Sequence, residues 1–446
     1  MNCSLFKFSF IFALAVAPIF CDKFFCTNFL ALYWGSTLAR LKGFEKLTNV
    51  DDALSSFLTQ LKPERLDSER IPIHEALRRV TAEDTRAKYN LPPFDRSAVD
   101  GYALKAKDTF GVSAFNTKIF KLTKGKVREN EAKELWTGNP VPEGADAVVM
   151  LEYTKKLDAK IELGKAVTPG RNVSKMGEDV TEGNIAITAG TRLNPHHLGL
   201  LAALGETHVD VVRKPKVAIL ATGSELVELG HKLEPGKIIE TNRLVFSSMC
   251  MELGAEPLNL GIAKDDLKEI GSKIQGGLEQ ADVIITTGGT SVGYPDLVPL
   301  AVNQIGKPGV IIHGVAIRPG MPTALAILKG KPVFVLSGNP VAATIGFEAF
   351  TRPTLLRLLG VNEARPAIEA KLTRRVAGAL GRRVFLRVRV FERNGGFFAE
   401  PIRVTGSGVL TTMTKANGYV IIPENREGLE EGESVTVKLF SSIEGK

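Results

Sequence analysis

Residues 217–224 read Val-Ala-Ile-Leu-Ala-Thr-Gly-Ser, a compact apolar run that ends in a glycine turn. Two further apolar runs follow at residues 283–285 and 333–336, and helical patterns separate the three runs. Short buried runs that alternate with helices are typical of a parallel sheet covered by helices. Residues 214–358 are therefore predicted to form an α/β domain.

Helix-end signals support this prediction. One helix is expected to begin with Thr241 or Asn242 as its cap and to end at Gly254, because glycine favours the left-handed conformation that closes a helix. The next helix is expected to begin at Asp266, which Glu269 follows at the spacing of a capping box. Cys250 lies in the apolar part of the first helix and is expected in the core.

The sequence on either side of this domain has other periodicities. Apolar residues recur at helical spacing between Val50 and Val80, which predicts a helical N-terminal element. Over residues 98–154, short apolar runs alternate with Gly and Pro, which predicts a small β-rich lobe. Beyond Pro366 the chain alternates as strands do, with Leu386, Val388 and Val390 on one face and Arg387 and Arg389 on the other.

The composition is that of an ordinary globular chain. Its 446 residues are 44% hydrophobic and 24% charged, which excludes a mainly disordered or fibrous protein. The 57 Lys and Arg residues exceed the 49 Asp and Glu residues by only 8, and no basic run contains interleaved aromatic residues. A nucleic-acid partner is therefore not expected, whereas a small anionic substrate fits the charge.

Residues 1–45 differ from the rest of the chain. They include an uncharged stretch at residues 8–21, which resembles the apolar region of a signal peptide but is too short to predict a membrane span. Two interpretations stay open. The segment either directs export or anchoring, or it is an upstream extension that is not part of the working protein. We favour the extension, because the regular globular pattern begins only near Leu41. A cytoplasmic protein is expected, because Cys250 is the only cysteine after residue 26.

Glycine follows all three apolar runs of the α/β domain, at residues 222–225 (TGSE), 288–293 (GGTSVG) and 337–340 (SGNP). The carboxyl ends of parallel strands meet at one edge of a sheet, and glycine lets the backbone approach a phosphate closely. None of these turns has the Walker or dinucleotide-binding pattern. A glycine turn can also be purely structural, and Asn339 before Pro340 is also an ordinary helix start.

Charged residues near these turns suggest an anion site. Arg318 lies in an Arg-Pro-Gly-Met-Pro turn and suits an oxyanion, although a surface arginine beside a turn is more common. Magnesium needs only one or two carboxylates beside phosphate oxygens and water. The candidates are Asp95, Asp100, Glu178, Asp179, Glu225, Asp265, Asp266 and Asp296. The histidines lack metal-ligand spacing, so a zinc site is not expected.

Together these motifs resemble one family, the molybdopterin molybdenumtransferases of the MoeA type, which include the C-terminal part of gephyrin. The matching segments occur in the family's order: residues 92–103 (PPFDRSAVDGYA), 177–179 (GED), 241–242 (TN), 288–293 (GGTSVG), 337–340 (SGNP) and 416–418 (ANG). The first and fourth segments are long and specific, whereas the shorter ones mean little alone. The resemblance extends over about residues 46 to 446.

The resemblance implies a multi-domain α/β plus β fold. Its expected parts are a helical N-terminal domain in two pieces (46–90 and 174–213), an inserted β lobe (91–173), a central parallel-sheet α/β domain of the molybdopterin-binding type (214–358) and a C-terminal β-barrel-like domain (359–446). It also implies an elongated homodimer, whose active site combines the α/β domain of one subunit with the inserted lobe of the other.

The resemblance also implies a reaction. Such proteins take adenylated molybdopterin, the product of an upstream molybdopterin adenylyltransferase, hydrolyse its pyrophosphate link with Mg²⁺, release AMP and load molybdate onto the dithiolene. Whether the oxyanion is molybdate or tungstate stays open. Neither a nucleic acid nor a membrane is an expected partner.

Site residues are carried over position by position. Asp100 and Asp179 would be the catalytic carboxylates. The residues expected to bind the oxyanion are Ser291, Arg318, Pro322, Arg387 and Ser407. Those expected to bind the rest of the substrate are Thr222, Gly223, Gly288, Gly289, Thr290, Ser291, Gly293, Ser337, Gly338, Asn339 and Pro340. The expected metal ligands are Glu225, Asp265 and Asp296.

Two departures from the family pattern keep alternatives open. Ser224 replaces an aspartate that many members have, which leaves Glu225 as a substitute metal ligand, and Met321 replaces a lysine. A non-catalytic pterin-binding scaffold therefore stays possible, although Asp100 and Asp179 favour catalysis. A molybdopterin adenylyltransferase is the other alternative, and the flanking domains argue against it because that family has only the middle domain.

Overall fold

The computed structural model describes residues 47–289, 296–402 and 406–443. The expected extension, residues 1–45, lies outside these ranges. The chain forms two compact units. One unit contains residues 65–213 with 359–361, and the other contains the described residues before 65, residues 214–358 and those from 362 onward. No helix in the described ranges is long and apolar enough to cross a membrane.

The first helix, α1 (Val50–Leu61), buries one apolar face that includes Ala53 and Phe57. It begins after Asn49, whose side chain accepts a hydrogen bond from the Asp51 amide at 2.9 Å. This cap satisfies one of the amides that a helix start leaves without a partner.

The helical pattern predicted as far as Val80 is wrong beyond Leu61. Pro63 follows the end of α1, and proline cannot supply the amide that a continuing helix needs. The chain instead forms β1 (Ser68–Pro72), which pairs antiparallel with residues 208–212. Val80 is buried and forms an antiparallel strand bridge to Arg192. Its place in the apolar pattern therefore reflects burial in the core and not a helix.

The unit of residues 65–213 consists mainly of strands. After β1 these are β2 (Thr85–Arg86), β3 (Arg96–Ser97), β4 (Gly101–Leu104), β5 (Lys118–Leu122), β6 (Glu131–Leu135), β7 (Ala147–Met150), β8 (Thr154–Leu157), β9 (Lys160–Leu163), β10 (Val173–Ser174), β11 (Ile185–Ile187) and β12 (His208–Val212). Helix α2 (Pro195–Ala203) precedes β12. Six strands form a sheet in the order β7-β4-β6-β5-β9-β8, which confirms a β-rich lobe. The pairs β1 with β12, β2 with β11 and β3 with β10 join the segments before and after it.

Residues 214–358 form an α/β domain, as predicted. Its strands are β13 (Lys216–Thr222), β14 (Leu226–Val227), β15 (Ile238–Ile239), β16 (Glu256–Ala263), β17 (Val283–Thr287), β18 (Pro308–His313), β19 (Ile317–Arg318), β20 (Ala324–Leu328) and β21 (Lys331–Leu336). Its helices are α3 (Asn242–Leu253), α4 (Leu267–Gln280), α5 (Leu297–Ile305), α6 (Pro340–Gly346) and α7 (Arg352–Leu358), and a π-helical turn (Phe347–Thr351) joins the last two.

The sheet of this domain has the order β16-β13-β17-β21-β20-β18. The first four strands are parallel, as predicted, whereas β20 runs antiparallel to its neighbours β21 and β18. The hairpin from β20 to β21 explains the change of direction. Its two loop residues, Lys329 and Gly330, both have positive φ, the backbone that a tight two-residue hairpin requires.

The predicted helix ends in this domain are confirmed. Helix α3 follows Thr241 and ends at Gly254, whose φ of 86° is left-handed. At the start of α4, the Asp266 side chain accepts a hydrogen bond from the Glu269 amide at 2.8 Å. Cys250 is buried as expected, and burial raises the pKa of its thiol to about 12.

The C-terminal residues form a closed barrel. The elements are β22 (Ala367–Leu372), β23 (Val376–Ala377), β24 (Arg383–Arg393), β25 (Gly396–Pro401), α8 (Thr411–Thr414), β26 (Gly418–Ile422), β27 (Gly428–Leu429) and β28 (Ser434–Leu439). Five strands pair in the order β24-β25-β22-β28-β26, and β26 pairs back with β24. Leu386, Val388 and Val390 fill the barrel core, as their alternation predicts. Strand β19 of the α/β domain pairs in parallel with β24.

Candidate functional site

The carboxyl ends of β13, β17 and β21 lie side by side, and each is followed by one of the predicted glycine turns. The turns fit closely together. A Cβ on Gly288 would lie 2.2 Å from the Thr222 carbonyl oxygen, and one on Gly289 would lie 2.7 Å from a methyl group of Val298. Both glycines also have positive φ, so only glycine fits at these two positions.

Asn242 connects these strand ends. Its buried side-chain amide donates to Thr287 Oγ1 at 2.7 Å and to the Gly338 carbonyl oxygen at 2.9 Å. Thr287 Oγ1 in turn donates to the Ser337 carbonyl oxygen at 3.0 Å. One side chain on α3 therefore fixes the distance between two turns. The sequence marked Asn242 only as part of a helix cap and a family motif.

A pocket of about 280 Å³ lies between the turn after β21 and the first part of β24. Its walls contain three arginines and no Asp or Glu side chain within the described ranges. The lining residues are Ile317, Arg318, Pro319, Gly320, Met321, Pro322, Ser337, Asn339, Ala342, Arg382, Arg387, Gly406 and Ser407. A positively charged pocket of this size suits a small oxyanion.

The fold brings most of the predicted oxyanion residues to this pocket. Pairing of β19 with β24 places Arg318 opposite Val384, so the Arg-Pro-Gly-Met-Pro turn and the barrel form one wall. The Ser407 carbonyl accepts a hydrogen bond from the Val341 amide at 3.1 Å, which holds that residue at the start of α6. Pro322 and Arg387 also line the pocket.

Arg387 is 2% exposed, the most deeply buried of the three arginines. Burial lowers the pKa of its guanidinium, because desolvation disfavours the charged form. Arginine nevertheless remains protonated in proteins, so Arg387 is a buried cation at the pocket wall. The alternation along β24 explains its position, since Leu386 and Val388 point into the barrel core on the opposite face.

Asn339 and Ser337 supply polar groups to the same pocket. Asn339 occupies the cap position of α6 ahead of Pro340, as the sequence suggested, but its side chain makes no capping hydrogen bond. Instead its backbone amide donates to Ser337 Oγ at 3.3 Å. An Asn side chain that is not used as a cap is available for a ligand.

The structure does not gather the three expected metal ligands into a cluster. No group of three His, Cys, Asp or Glu side chains in the described part of the chain has the geometry to hold a metal ion. Asp265 accepts a hydrogen bond from the Ser224 amide at 2.9 Å, while its own amide donates to Ser224 Oγ. Ser224 is therefore a structural partner of Asp265 at this turn. Glu225 is exposed beside Gly223.

Asp296 lies just before α5, next to the second glycine turn. One of its carboxylate oxygens is 3.0 Å from His313 Nε2, and the other is buried with no hydrogen-bond partner among the described residues. A buried carboxylate oxygen without a donor carries a free-energy cost that a bound cation would remove. Thr290, Ser291 and Gly293 of the same turn lie outside the described residues.

Asp100 and Asp179 belong to the unit of residues 65–213, where two hydrogen-bonded segments carry them. Strand β3, before Asp100, pairs with β10, and the Asp179 amide donates to the Leu91 carbonyl oxygen at 3.0 Å. Asp100 accepts hydrogen bonds from the Thr137 amide at 2.7 Å and the Thr137 hydroxyl at 2.8 Å. These bonds lower the pKa of Asp100, so it is an anion at neutral pH.

Comparison with known proteins gives the same family as the motifs. The chain matches the MoeA N-terminal region (domain I and II) at residues 48–205, a "probable molybdopterin binding domain" at 218–357 and the MoeA C-terminal region (domain IV) at 369–440. A Bacillus subtilis protein named molybdopterin molybdenumtransferase is 37% identical over 394 residues, 85% of this chain and 91% of the relative. The chain belongs to the molybdopterin molybdenumtransferase (MoeA) family.

Two archaeal relatives agree with this membership. A Methanocaldococcus jannaschii protein, whose name assigns it provisionally to molybdopterin biosynthesis, is 39% identical over 418 residues, 90% of this chain and 98% of the relative. The crystal structure of a molybdopterin biosynthesis MoeA protein from Pyrococcus horikoshii matches with a TM-score of 0.77 at 33% identity, covering 89% of this chain and 100% of that one. The predicted multi-domain α/β plus β fold is therefore confirmed.

Proposed function

We propose that this protein is a molybdopterin molybdenumtransferase that inserts molybdate, or tungstate, into adenylated molybdopterin and releases AMP. The observation that carries the proposal is the pocket in which Arg318, Arg382 and Arg387 meet without a carboxylate among the described lining residues. A tetrahedral dianion loses its hydration on entering such a pocket, and guanidinium groups replace it with charge-assisted hydrogen bonds.

The glycine turns support binding of the nucleotide part of the substrate. They lie at the carboxyl ends of adjacent parallel strands, where loops present backbone amides to anions. Close contact at Gly288 and Gly289 keeps side chains out of this edge, so a phosphate group can approach the backbone. Hydrolysis of the pyrophosphate link adds water across the P–O–P bridge. One phosphate stays on the pterin, and the other leaves as the phosphate of AMP.

Within the described residues, this chain can hold a magnesium ion only with few protein ligands, because no three candidate ligands lie together. Asp296 offers a buried oxygen to which no described residue donates a hydrogen bond, and Glu225 is a second candidate. One or two carboxylates suffice, because Mg²⁺ usually keeps several waters and takes phosphate oxygens from its substrate. When bound, the ion would neutralise charge on the pyrophosphate.

Asp100 and Asp179 are the proposed catalytic carboxylates. Thr137 holds Asp100 in its ionised form, which suits a base or a metal ligand and not a proton donor at neutral pH. In the proposed homodimer, these carboxylates act with the pocket of the other subunit. An upstream adenylyltransferase in the same cytoplasm would supply the adenylated substrate.

Replacing Asp100 tests catalysis against the two alternatives. In a transferase, Asp100→Asn should lower AMP release strongly and leave oxyanion binding intact. The matched control is Asp158→Asn, an exposed turn residue with positive φ that asparagine also tolerates. If the full-length protein binds adenylated molybdopterin tightly without releasing AMP, a scaffold is the better description. If it makes adenylated molybdopterin and pyrophosphate from ATP, it is an adenylyltransferase.

A further inference from the structure

Arg382 lines the oxyanion pocket, although neither the motifs nor the family comparison pointed to it. Its neighbour Arg383, in contrast, is neutralised by ion pairs with acidic side chains. Arg383 donates to both carboxylate oxygens of Asp51, at 2.7 and 2.6 Å, and forms an ion pair with Glu424 at 3.0 Å. The guanidinium of Arg382 makes no hydrogen bond or ion pair with any other described residue.

The backbone explains why the two neighbours differ. Arg383 is the first residue of β24, and its amide donates to the Ala316 carbonyl oxygen at 2.8 Å. Arg382 precedes the strand, in a turn that its own amide closes on Ala379 at 2.9 Å. Successive residues at a strand start face opposite sides. One arginine is thereby neutralised by two acids, and the other adds charge to the pocket.

We propose that Arg382 is a further oxyanion-binding residue, and that it makes the pocket selective for doubly charged tetrahedral anions. This inference rests on the proposed function, since molybdate and tungstate are such dianions. With Arg318 and Arg387, it raises the formal charge of the pocket lining to three positive groups. The Coulomb energy of each group with the ligand scales with ligand charge, so a dianion gains about twice as much as a monoanion of the same shape.

Met321 lines the same pocket and carries no charge. The structure therefore offers a rescue position, because a lysine at 321 would return a cation to the pocket when Arg382 is removed. Lysine is a flexible point charge, whereas arginine is a planar fork of hydrogen-bond donors. A lysine should therefore restore the affinity for dianions without restoring each hydrogen bond of the arginine.

Equilibrium titration of the full-length protein with sodium molybdate, tungstate, sulfate and perchlorate tests the proposal. We expect Arg382→Ala to weaken molybdate binding about tenfold or more, the usual effect of losing a charge-assisted hydrogen bond, and to weaken perchlorate binding only about threefold, because a monoanion gains about half the Coulomb energy. Arg382→Ala with Met321→Lys should regain most of the lost affinity. Arg375→Ala is the matched control, because Arg375 is exposed, lies outside the pocket lining and forms an ion pair with the exposed Glu430.

The outcomes separate this inference from the function on which it rests. If Arg382→Ala binds molybdate within twofold of the parent protein, or if Met321→Lys gives no rescue, the role of Arg382 is overturned. If the parent protein itself fails to bind molybdate and tungstate, the oxyanion pocket and the proposed function are overturned together. Should Arg382→Ala unfold, Arg382→Gln decides, because glutamine keeps a long polar side chain without the charge and must then weaken molybdate binding more than perchlorate binding.

Discussion

Replacement of Asn242 by alanine is the sharpest test of how the strand ends are held. The side-chain amide of Asn242 makes two hydrogen bonds, to Thr287 Oγ1 and to the Gly338 carbonyl oxygen. Alanine removes both. Thr287 keeps its own bond to the Ser337 carbonyl, whereas the Gly338 oxygen loses its side-chain donor.

The expected cost follows from these contacts. The two lost bonds are worth about 2 kcal/mol net, and the unpaired Gly338 oxygen raises the local loss to about 3 kcal/mol. A local loss of that size raises the opening of the strand ends about 150-fold. Molybdate binding should weaken as well, because Ser337 and Asn339 belong to the turn that Asn242 anchors.

Hydrogen exchange measured by mass spectrometry checks this expectation. Peptides that contain residues 284–288 and 334–338 should lose protection in Asn242→Ala. In the control, Asn303→Ala, they should not. Asn303 is exposed, and its side chain accepts one hydrogen bond, from the Val310 amide at 2.8 Å. Unchanged exchange at both strand ends in Asn242→Ala would refute the anchoring role.

Three further predictions follow from individual contacts. Thr137→Ala removes the hydroxyl donor that lowers the pKa of Asp100, so this pKa rises and the acid limb of the rate profile should move to higher pH; an unmoved limb contradicts the role of Asp100. Arg383 lowers the pKa of Asp51, so the pair stabilises above the unfolded value near 3.8 and its contribution is lost as pH falls further. Asp51→Asn should therefore cost about 0.5–1 kcal/mol at neutral pH and nothing well below that value, as measured by urea unfolding at each pH. In the proposed homodimer, a mixture of separately inactive Asp100→Asn and Arg387→Ala proteins should regain activity after subunit exchange, and persistent inactivity contradicts a shared site.

Much of the α/β domain follows from local signals. The apolar runs, the Gly254 stop and the Asp266 cap act over a few residues, and the structure contains all of them. The N-terminal prediction failed because Ala76 and Val80 keep helical spacing without lying in one helix. Ala76 packs in the core of the 65–213 unit, and Val80 forms a strand bridge to Arg192. The antiparallel strand β20 and the edge strand β18 were also missed, since the Lys329-Gly330 turn is a short local signal.

Only the part of the site that lies in family motifs was predictable from the sequence. Family motifs identified Arg318, Pro322, Arg387 and Ser407, and the fold brings these four to one pocket. Arg382 and Asn242 were missed because their roles depend on distant partners. Arg382 depends on which of two adjacent arginines meets Asp51, and Asn242 depends on the packing of α3 against strand ends 45 and 96 positions away in the chain.

Met321 lines this pocket at the position where many members of the family have a lysine. The family resemblance suggested that the chain lacks one oxyanion-binding cation, which kept a non-catalytic role open. Arg382 places a cation in the lining of the same pocket. The pocket therefore retains three positive groups, and the loss of a lysine at this position is no longer an argument against oxyanion binding.

The central claim is that an oxyanion bound in the arginine pocket is transferred to the pterin as AMP leaves. The most direct test incubates the full-length protein with adenylated molybdopterin and Mg²⁺, with and without molybdate or tungstate, and follows both AMP and the metal retained on the pterin. We expect AMP release that depends on the oxyanion, with one metal retained per AMP. AMP release that is indifferent to molybdate and tungstate, or tight binding with no AMP at all, would contradict it.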